Sequence, residues 1–261
     1  AEKAELLSLP DLSVFFDIMD AVEVEQLAAA VKTVKDGIAT QLQPVLTTVL
    51  DSAATYAAKD LHFEAIGERR LRNTCLALLA RSQSAEVLAR AKQQYDSATV
   101  MSNRLAALQA LNITPSEART AALDDFYARF KDDPQVVDKW LAIQAAADDD
   151  SSIETVKKLA QHEAFSLSNP NKVRALYGTF CMRNLRQFHH ISGRGYALLA
   201  DLIAELDGIN PGIAARMVTP LTQWRRFDKK RQTLMQDKLQ SLLDKPGISK
   251  DLYEVVSKSV A

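Results

Sequence analysis

Apolar residues recur every three or four positions along most of this chain, the period that lays a single stripe along a helix. Leu12, Phe15, Phe16 and Met19 carry that rhythm near the start, behind an Asp11 placed to cap the first turn. Residues 22–35 are rich in Ala, and residues 38–59 repeat the pattern around Pro44. In AIGERRLRNTCLALLA, residues 65–80, the spacing puts Ile66, Leu71, Cys75, Leu78 and Leu79 on one face. Arg69, Arg70 and Arg72 fall largely on the opposite face. Further helices are predicted over 85–95 and 99–111. Alternation with a period of two, the mark of a half-buried strand, persists nowhere for more than a few positions.

One device starts four of the later helices. Thr114-Pro115, Asp133-Pro134, Asn169-Pro170 and Asn210-Pro211 each place a capping side chain directly before Pro. Such a side chain accepts from the unpaired N–H groups of the first turn, and Pro at the first helical position forfeits no hydrogen bond. Glu117, three residues past Thr114, completes a capping box on this reading. The signals lie 19, 36 and 41 residues apart, one or two helices per step. That is the scale of repeats in which antiparallel helix pairs bury a face against their neighbours. The predicted fold is therefore all-α, with about 12 to 16 helices in a solenoid-like superhelix of the HEAT or armadillo kind. A compact helical domain is the competing architecture, and 261 residues suffice for one large domain or two small ones.

Composition narrows the possible functions. Hydrophobic residues make up 47% and charged residues 25%, ordinary values for a globular protein, while eight Gly and eight Pro are too few for a fold of many tight turns. No apolar run reaches the ~20 residues of a membrane-spanning helix, and AEKAELLSLP does not read as a secretory leader. The abrupt start fits a piece cut from a longer chain. Cys75 and Cys181 form no CxxC pair and are expected to be reduced and buried, as in the cytosol. His162-Glu163 begins like HExxH, but Ser166 stands where the second His is needed. His189 and His190 are adjacent, so they cannot chelate from one helix face. No nucleophile elbow, P-loop or GxGxxG is present. Asp124-Asp125 and Asp148-Asp149-Asp150 read as carboxylates that cap or flank helices. The chain reads as non-catalytic.

The sharpest anomaly is electrostatic. The formal net charge is -1, yet no Asp or Glu occurs between Phe165 and Ala200, a stretch that holds Lys172, Arg174, Arg183, Arg186 and Arg194. Ser192-Gly193-Arg194-Gly195 reads as a flexible turn within it. An anionic ligand, or a carboxylate-bearing surface elsewhere, is the natural partner. A second basic run, residues 216–231, interleaves Trp224 and Phe227 with cations. A nucleic-acid role is disfavoured by a pI near 6.5. The alternative is an amphipathic helix with Trp224 buried and its cations solvated.

These segments resemble a known family. SNPNKVRALYGTF, FHHISGRGY, NPGIAARMVTPL and RRFDKKRQTLM are similar to blocks in the C-terminal domain of bacterial aminopeptidase N, a zinc-dependent gluzincin. VFFDIMD, RRLRNTCLALLA, VDKWLAIQA and the ending SKDLYEVVSKSVA agree, so the resemblance runs the length of the chain. It implies that residues 1–261 form a single all-α domain of a longer cytoplasmic enzyme. Zinc, the HExxH motif and the GxMEN motif would lie in a catalytic domain absent from this chain, so no cofactor is expected here. The resemblance further implies that this domain closes over the catalytic one, walls an internal cavity and limits access by peptides. Its partners would be the other domains of the same polypeptide and the peptide substrate, with neither nucleic acid nor membrane among them. By motif position, Arg174 and Arg216 are the cavity-facing arginines. The residues leave two roles open for them: binding a peptide's C-terminal carboxylate, or pairing with acids of the fold or of the catalytic domain. His189 and His190 are expected to be structural. A free-standing helical-repeat scaffold that binds a protein or peptide is the alternative to the aminopeptidase reading.

Overall fold

The computed structural model describes residues 2–16 and 18–261, so Asp17 of the VFFDIMD block lies outside it. The first part of the chain forms α1 (Glu2–Leu6), α2 (Leu12–Phe16), α3 (Val24–Gln41), α4 (Gln43–Asp51), α5 (Phe63–Leu79), α6 (Ala85–Ser97), α7 (Met101–Leu111) and α8 (Glu117–Phe130). The second part begins with α9 (Pro134–Ala145), α10 (Ser152–Ala160) and α11 (Pro170–Val173), continues through a π-helical turn (Arg174–Gly178) into α12 (Thr179–Arg183), and adds α13 (Leu185–Phe188). It ends with α14 (Arg194–Leu206), α15 (Pro211–Met217), α16 (Thr219–Thr222), α17 (Lys229–Leu243) and α18 (Lys250–Val260). The described residues contain no strand, and one isolated bridge joins Val22 and Phe227. The surplus over the predicted helix number consists of short pieces, since α11, the π turn and α12 run on without a break.

The chain divides into two compact units: residues 1–10 with 29–130, and residues 11–28 with 131–261. In the first, α5 packs against α1, α4 and α7, and α7 packs against α6 and α8. Leu46, Cys75, Leu76, Tyr95, Leu108 and Phe126 are almost completely buried between these helices. In the second, α9 lies against α10 and the π turn, while α14 and α18 flank α15 and α17. Val156, Leu176, Phe180, Tyr196, Ile203 and Val256 fill that core. A buried Leu or Phe contributes roughly 1.5–3 kcal/mol in removal from water, so these stripes hold the helices together. Ile66 departs from the predicted stripe and is 47% exposed. Ala65 and Gly67, its neighbours in the helix, are buried instead.

Three of the four predicted Pro starts hold. Asp133 accepts from the N–H groups of Gln135 and Val136, Asn169 from Asn171 and Asn210 from Ile213. The fourth is displaced: α8 begins at Glu117, and the Ser116 hydroxyl, not Thr114, accepts from the Arg119 N–H at 3.1 Å. Pro115 drives Thr114 toward extended geometry and so prolongs the loop by two residues.

Several helix C-termini are satisfied differently, by side chains from other segments. Four carbonyls at each such end lack a partner within the helix. Arg72 on α5 donates to the carbonyls of Val49, Leu50 and Ser52 at 2.9–3.0 Å, closing the end of α4. Arg104 on α7 does the same for α6 through the carbonyls of Tyr95 and Ala98, with its guanidinium over the Tyr95 ring. Asn184 donates to Ala145 and Ala147 behind α9, while Trp224 and Arg225 converge on the Ser259 carbonyl of α18.

The glycine turn is a packing requirement rather than a flexible joint. Gly193 sits at φ 72°, the left-handed region that favours Gly, immediately before α14. Gly195 lies inside the first turn of α14, where a Cβ would stand 2.2 Å from the Phe188 carbonyl oxygen. Gly195→Ala should therefore lower stability by about 3 kcal/mol, the cost of forcing backbone apart. Gly37→Ala is the matched control, because a Cβ there meets nothing within 4 Å in the middle of α3. It should raise stability by about 0.5–1 kcal/mol. Urea unfolding of both variants checks the opposite signs.

Candidate functional site

The acid-free stretch folds so that distant acids neutralise some of its cations and not others. Lys172 is buried and pairs with Asp138 at 2.8 Å, while also donating to the Pro134 carbonyl at 3.0 Å. Arg186 binds Asp148 at 2.7 Å and approaches Asp150 at 3.8 Å. The Asp148–Asp150 run is thus an ion-pair partner as well as a helix flank. Arg174, Arg183 and Arg216 are exposed and have no carboxylate within ion-pairing distance among the described residues. α14 brings further acid close: burial, with added repulsion from Glu205 and Asp201, pushes the Tyr177 hydroxyl up to about 12.

Arg174 opens the π turn. The Thr179 N–H reaches back five residues to the Arg174 carbonyl, widening the helix where α11 passes into α12. The guanidinium is steadied at its own helix start, with Nε donating to the Pro170 carbonyl at 3.3 Å and Nη2 to Asn171 Oδ1 at 2.6 Å. Nη1 and the remaining Nη2 hydrogen stay available to a ligand. Arg216 stands at the last turn of α15, a helix that packs on α14 and α18. Both predicted site residues belong to the second unit, and they share no hydrogen-bonding partner.

His189 is the centre of a buried cluster. It is 3% exposed, stacks on Phe227 with ring centres 4.2 Å apart, and meets the edges of Phe16, Phe188 and Tyr196. Its Nδ1 lies 2.9 Å from the Tyr196 hydroxyl. Burial, and then the positive charge of Arg231, lower its pKa to about 3, so the ring is neutral. His190 is the more accessible of the two and shares a hydrogen bond with Ser192 at 2.8 Å. Both act as structural histidines at the glycine turn.

The second basic run divides similarly. Trp224 is buried, but it lies in a 3-10 turn ahead of α17 rather than within one amphipathic helix. Arg231 is not solvated: its side chain is 4% exposed, pairs with Glu25 and Asp228, and donates from Nε to the His189 carbonyl at 2.6 Å. Asp228 caps α17 by accepting from the N–H groups of Lys230 and Arg231. Glu25 and the bond from the Val22 N–H to the Arg226 carbonyl, at 2.7 Å, tie residues 11–28 into this unit.

No group of three or more His, Cys, Asp or Glu among the described residues could hold a metal ion. The half motif His162-Glu163 lies in the turn after α10, where the His162 ring contacts Trp140 and accepts from the Ala164 N–H. These residues do not fit a zinc centre. Both cysteines are free and buried, and burial pushes their thiols away from ionisation. No helix in the described residues is long and apolar enough to cross a membrane.

The sequence family described as "Domain of unknown function (DUF3458_C) ARM repeats" matches residues 1–261. The chain belongs to this family. Armadillo-type repeats agree with the predicted helix-pair architecture. Aminopeptidase N of Escherichia coli (strain K12) is 34% identical over 99% of this chain and 30% of its own length. Aminopeptidase N of Caulobacter vibrioides is 35% identical over 100% of the chain and 30% of its own. A solved structure of Legionella pneumophila aminopeptidase A, in complex with aspartic acid, superposes with a TM-score of 0.87 at 32% identity, over 98% of this chain and 31% of that one. The chain thus spans about a third of the length of these relatives and corresponds to their C-terminal part.

In this DUF3458_C domain Arg174 and Arg216, singled out by motif position, are exposed, whereas the residue pattern did not announce the Arg231 cluster. The available signal was Asp228 three residues before Arg231, a spacing that places both on one helix face. The cluster has a pH signature. Between its ordinary value of 6.5 and about 3, His189 binds a proton in the unfolded chain but not in the folded one. Its contribution is complete above pH 6.5 and is lost as pH falls, with a slope of up to about 1.4 kcal/mol per pH unit. His189→Phe removes that slope, alongside a pH-independent loss from stranding the Tyr196 hydroxyl. Urea unfolding at pH 7, 6, 5 and 4 should show the gap between the two proteins narrowing toward acid.

Proposed function

We propose that this chain is the non-catalytic helical domain of a cytoplasmic zinc aminopeptidase that removes N-terminal residues from peptides. Residues 1–261 act as one domain that closes over the catalytic domain, walls an internal cavity and limits access to it. Zinc belongs to the catalytic domain, and the present residues supply binding rather than chemistry. The family membership and the aminopeptidase relatives, matched through their C-terminal part, support the class.

The observation that carries the residue assignment is the Arg174 guanidinium, which is exposed, oriented by Asn171 and without a carboxylate partner among the described residues. A peptide held by its amino end at a metal presents its C-terminal carboxylate farther into the cavity. An Arg fork binds such a group through two parallel charge-assisted hydrogen bonds. In this reading Arg174 and Arg216 receive that far end, while Lys172 and Arg186, already neutralised, support the wall.

The test uses the longer enzyme that contains this chain. Arg174→Ala should raise KM for di- and tripeptides about tenfold, the loss of one charge-assisted contact of ~1.5 kcal/mol. KM for amino-acid arylamides, which lack the carboxylate, should hardly move. Equal changes for both substrate types would refute the carboxylate role. Arg186→Ala should instead lower thermal stability and leave the substrate ratio unaltered.

A further inference from the structure

The first unit contains an open groove of about 770 Å³, within the range of roughly 300–1,000 Å³ typical of ligand clefts. Its floor is apolar, built from Leu9 after α1, from Ile66, Ala77 and Leu78 on α5, and from Ala106 and Ile113 at α7 and its end. Ile66 is the residue whose exposure breaks the expected stripe, and Phe63, one turn earlier on α5, is 71% exposed. Apolar surface is therefore offered to solvent on this side of α5.

The rim carries one sign of charge. Lys35, Arg69, Arg70 and Arg81 line the groove, and no Asp or Glu does. Arg81 binds Asp36, and Arg70 pairs with Glu5 in an exposed contact that contributes little. Arg69 donates to the Asp60 carbonyl at 2.6 Å and has no carboxylate partner among the described residues. Asn73, also at the groove, is engaged with Asn103 and Gln94. The polar capacity left to a ligand is cationic.

We infer that this groove docks an acidic amphipathic peptide segment, with apolar side chains on the Ile66–Leu78 floor and carboxylates on Arg69 and Arg70. Charge complementarity selects the occupant. A second copy of this chain would have to present an acidic apolar face of its own, and a neutral apolar ligand would leave the cationic rim unused. A helix-in-groove or extended mode would serve, because apolar anchors supply the affinity and rim charges supply the selection. The inference concerns the first unit and is independent of the roles proposed for Arg174 and Arg216.

The test uses fluorescence anisotropy with the 261-residue chain and two labelled twelve-residue peptides. Both carry Leu at i, i+3, i+4 and i+7, with Glu at the remaining positions in one and Lys in the other. The Glu peptide should bind at least tenfold more tightly than the Lys peptide, and 0.5 M salt should weaken it. The pair Arg69→Gln and Arg70→Gln should reduce that binding at least tenfold, and Ala77→Trp, at an exposed position on the floor, should block it. Thermal melts establish that each variant is folded, and should Ala77→Trp fail to fold, the arginine pair decides. Equal binding of the two peptides, or binding indifferent to the arginine pair, would overturn the inference. Self-association at micromolar concentration that Ala77→Trp abolishes would also overturn it, by assigning the groove to a second copy.

Discussion

A stack of helices joined by short turns has one recurrent problem, the unpaired carbonyls at each helix end. In this protein side chains from other segments of the same unit solve it. Arg72 closes α4, Arg104 closes α6, Asn184 closes α9, and Trp224 with Arg225 closes α18. Arg72 and Arg104 project from α5 and α7, helices already placed by apolar packing, so closing a neighbour's end also fixes the spacing between the two. A positive guanidinium at a helix C-terminus gains from the helix dipole as well. The turns can then be short and poor in Gly, which is why so few glycines suffice for so many helices.

The same arrangement sorts the charges. Cations used in closing ends or in buried pairs, such as Arg72, Lys172 and Arg231, are held by several partners and are unavailable for binding. Among those left over are Arg174, Arg183 and Arg216 in one unit and Arg69 in the other, each exposed or half-exposed. A near-neutral chain can thus carry local positive surface without an excess of basic residues, because acids such as Asp138, Asp148 and Asp228 are paired with other cations. Arg231 is the extreme case. With Asp228 and Glu25 against it and the His189 carbonyl above it, the charge stays within a hydrophobic layer at a cost that its partners offset.

Much of this was legible in the residues. Helical period and Pro caps gave the class, and three of the four Pro starts lie where a capping side chain and fixed φ require them. Thr114 misled because the Ser116 hydroxyl competes two residues later, and local pattern cannot rank two such caps. Ile66 misled because stripe reading assumes that every apolar residue seeks the core. The acid-free stretch was legible as a charge anomaly, but its neutralisation by Asp138 and Asp148 depends on contacts across roughly forty residues. For the same reason Arg231 read as a solvated cation: Glu25 lies about two hundred residues away in the chain. Asp125 was taken as a helix flank, yet inside α8 it accepts from the Tyr95 hydroxyl at 2.8 Å, a contact between two helices that neither sequence segment announces.

The π turn at Arg174–Gly178 ties the direction of Arg174 to the number of residues in its helix. A turn of this kind holds one residue more than the regular helix needs, a surplus that the hydrogen-bond ladder absorbs without opening a loop. Removing a residue there would return the ladder to its ordinary register and rotate everything upstream, Arg174 included, by about 100° relative to α12. Such a change would re-aim Arg174 but also turn the buried Val173 and Lys172 away from α9, so the extra residue keeps the surface cation and the core in register together.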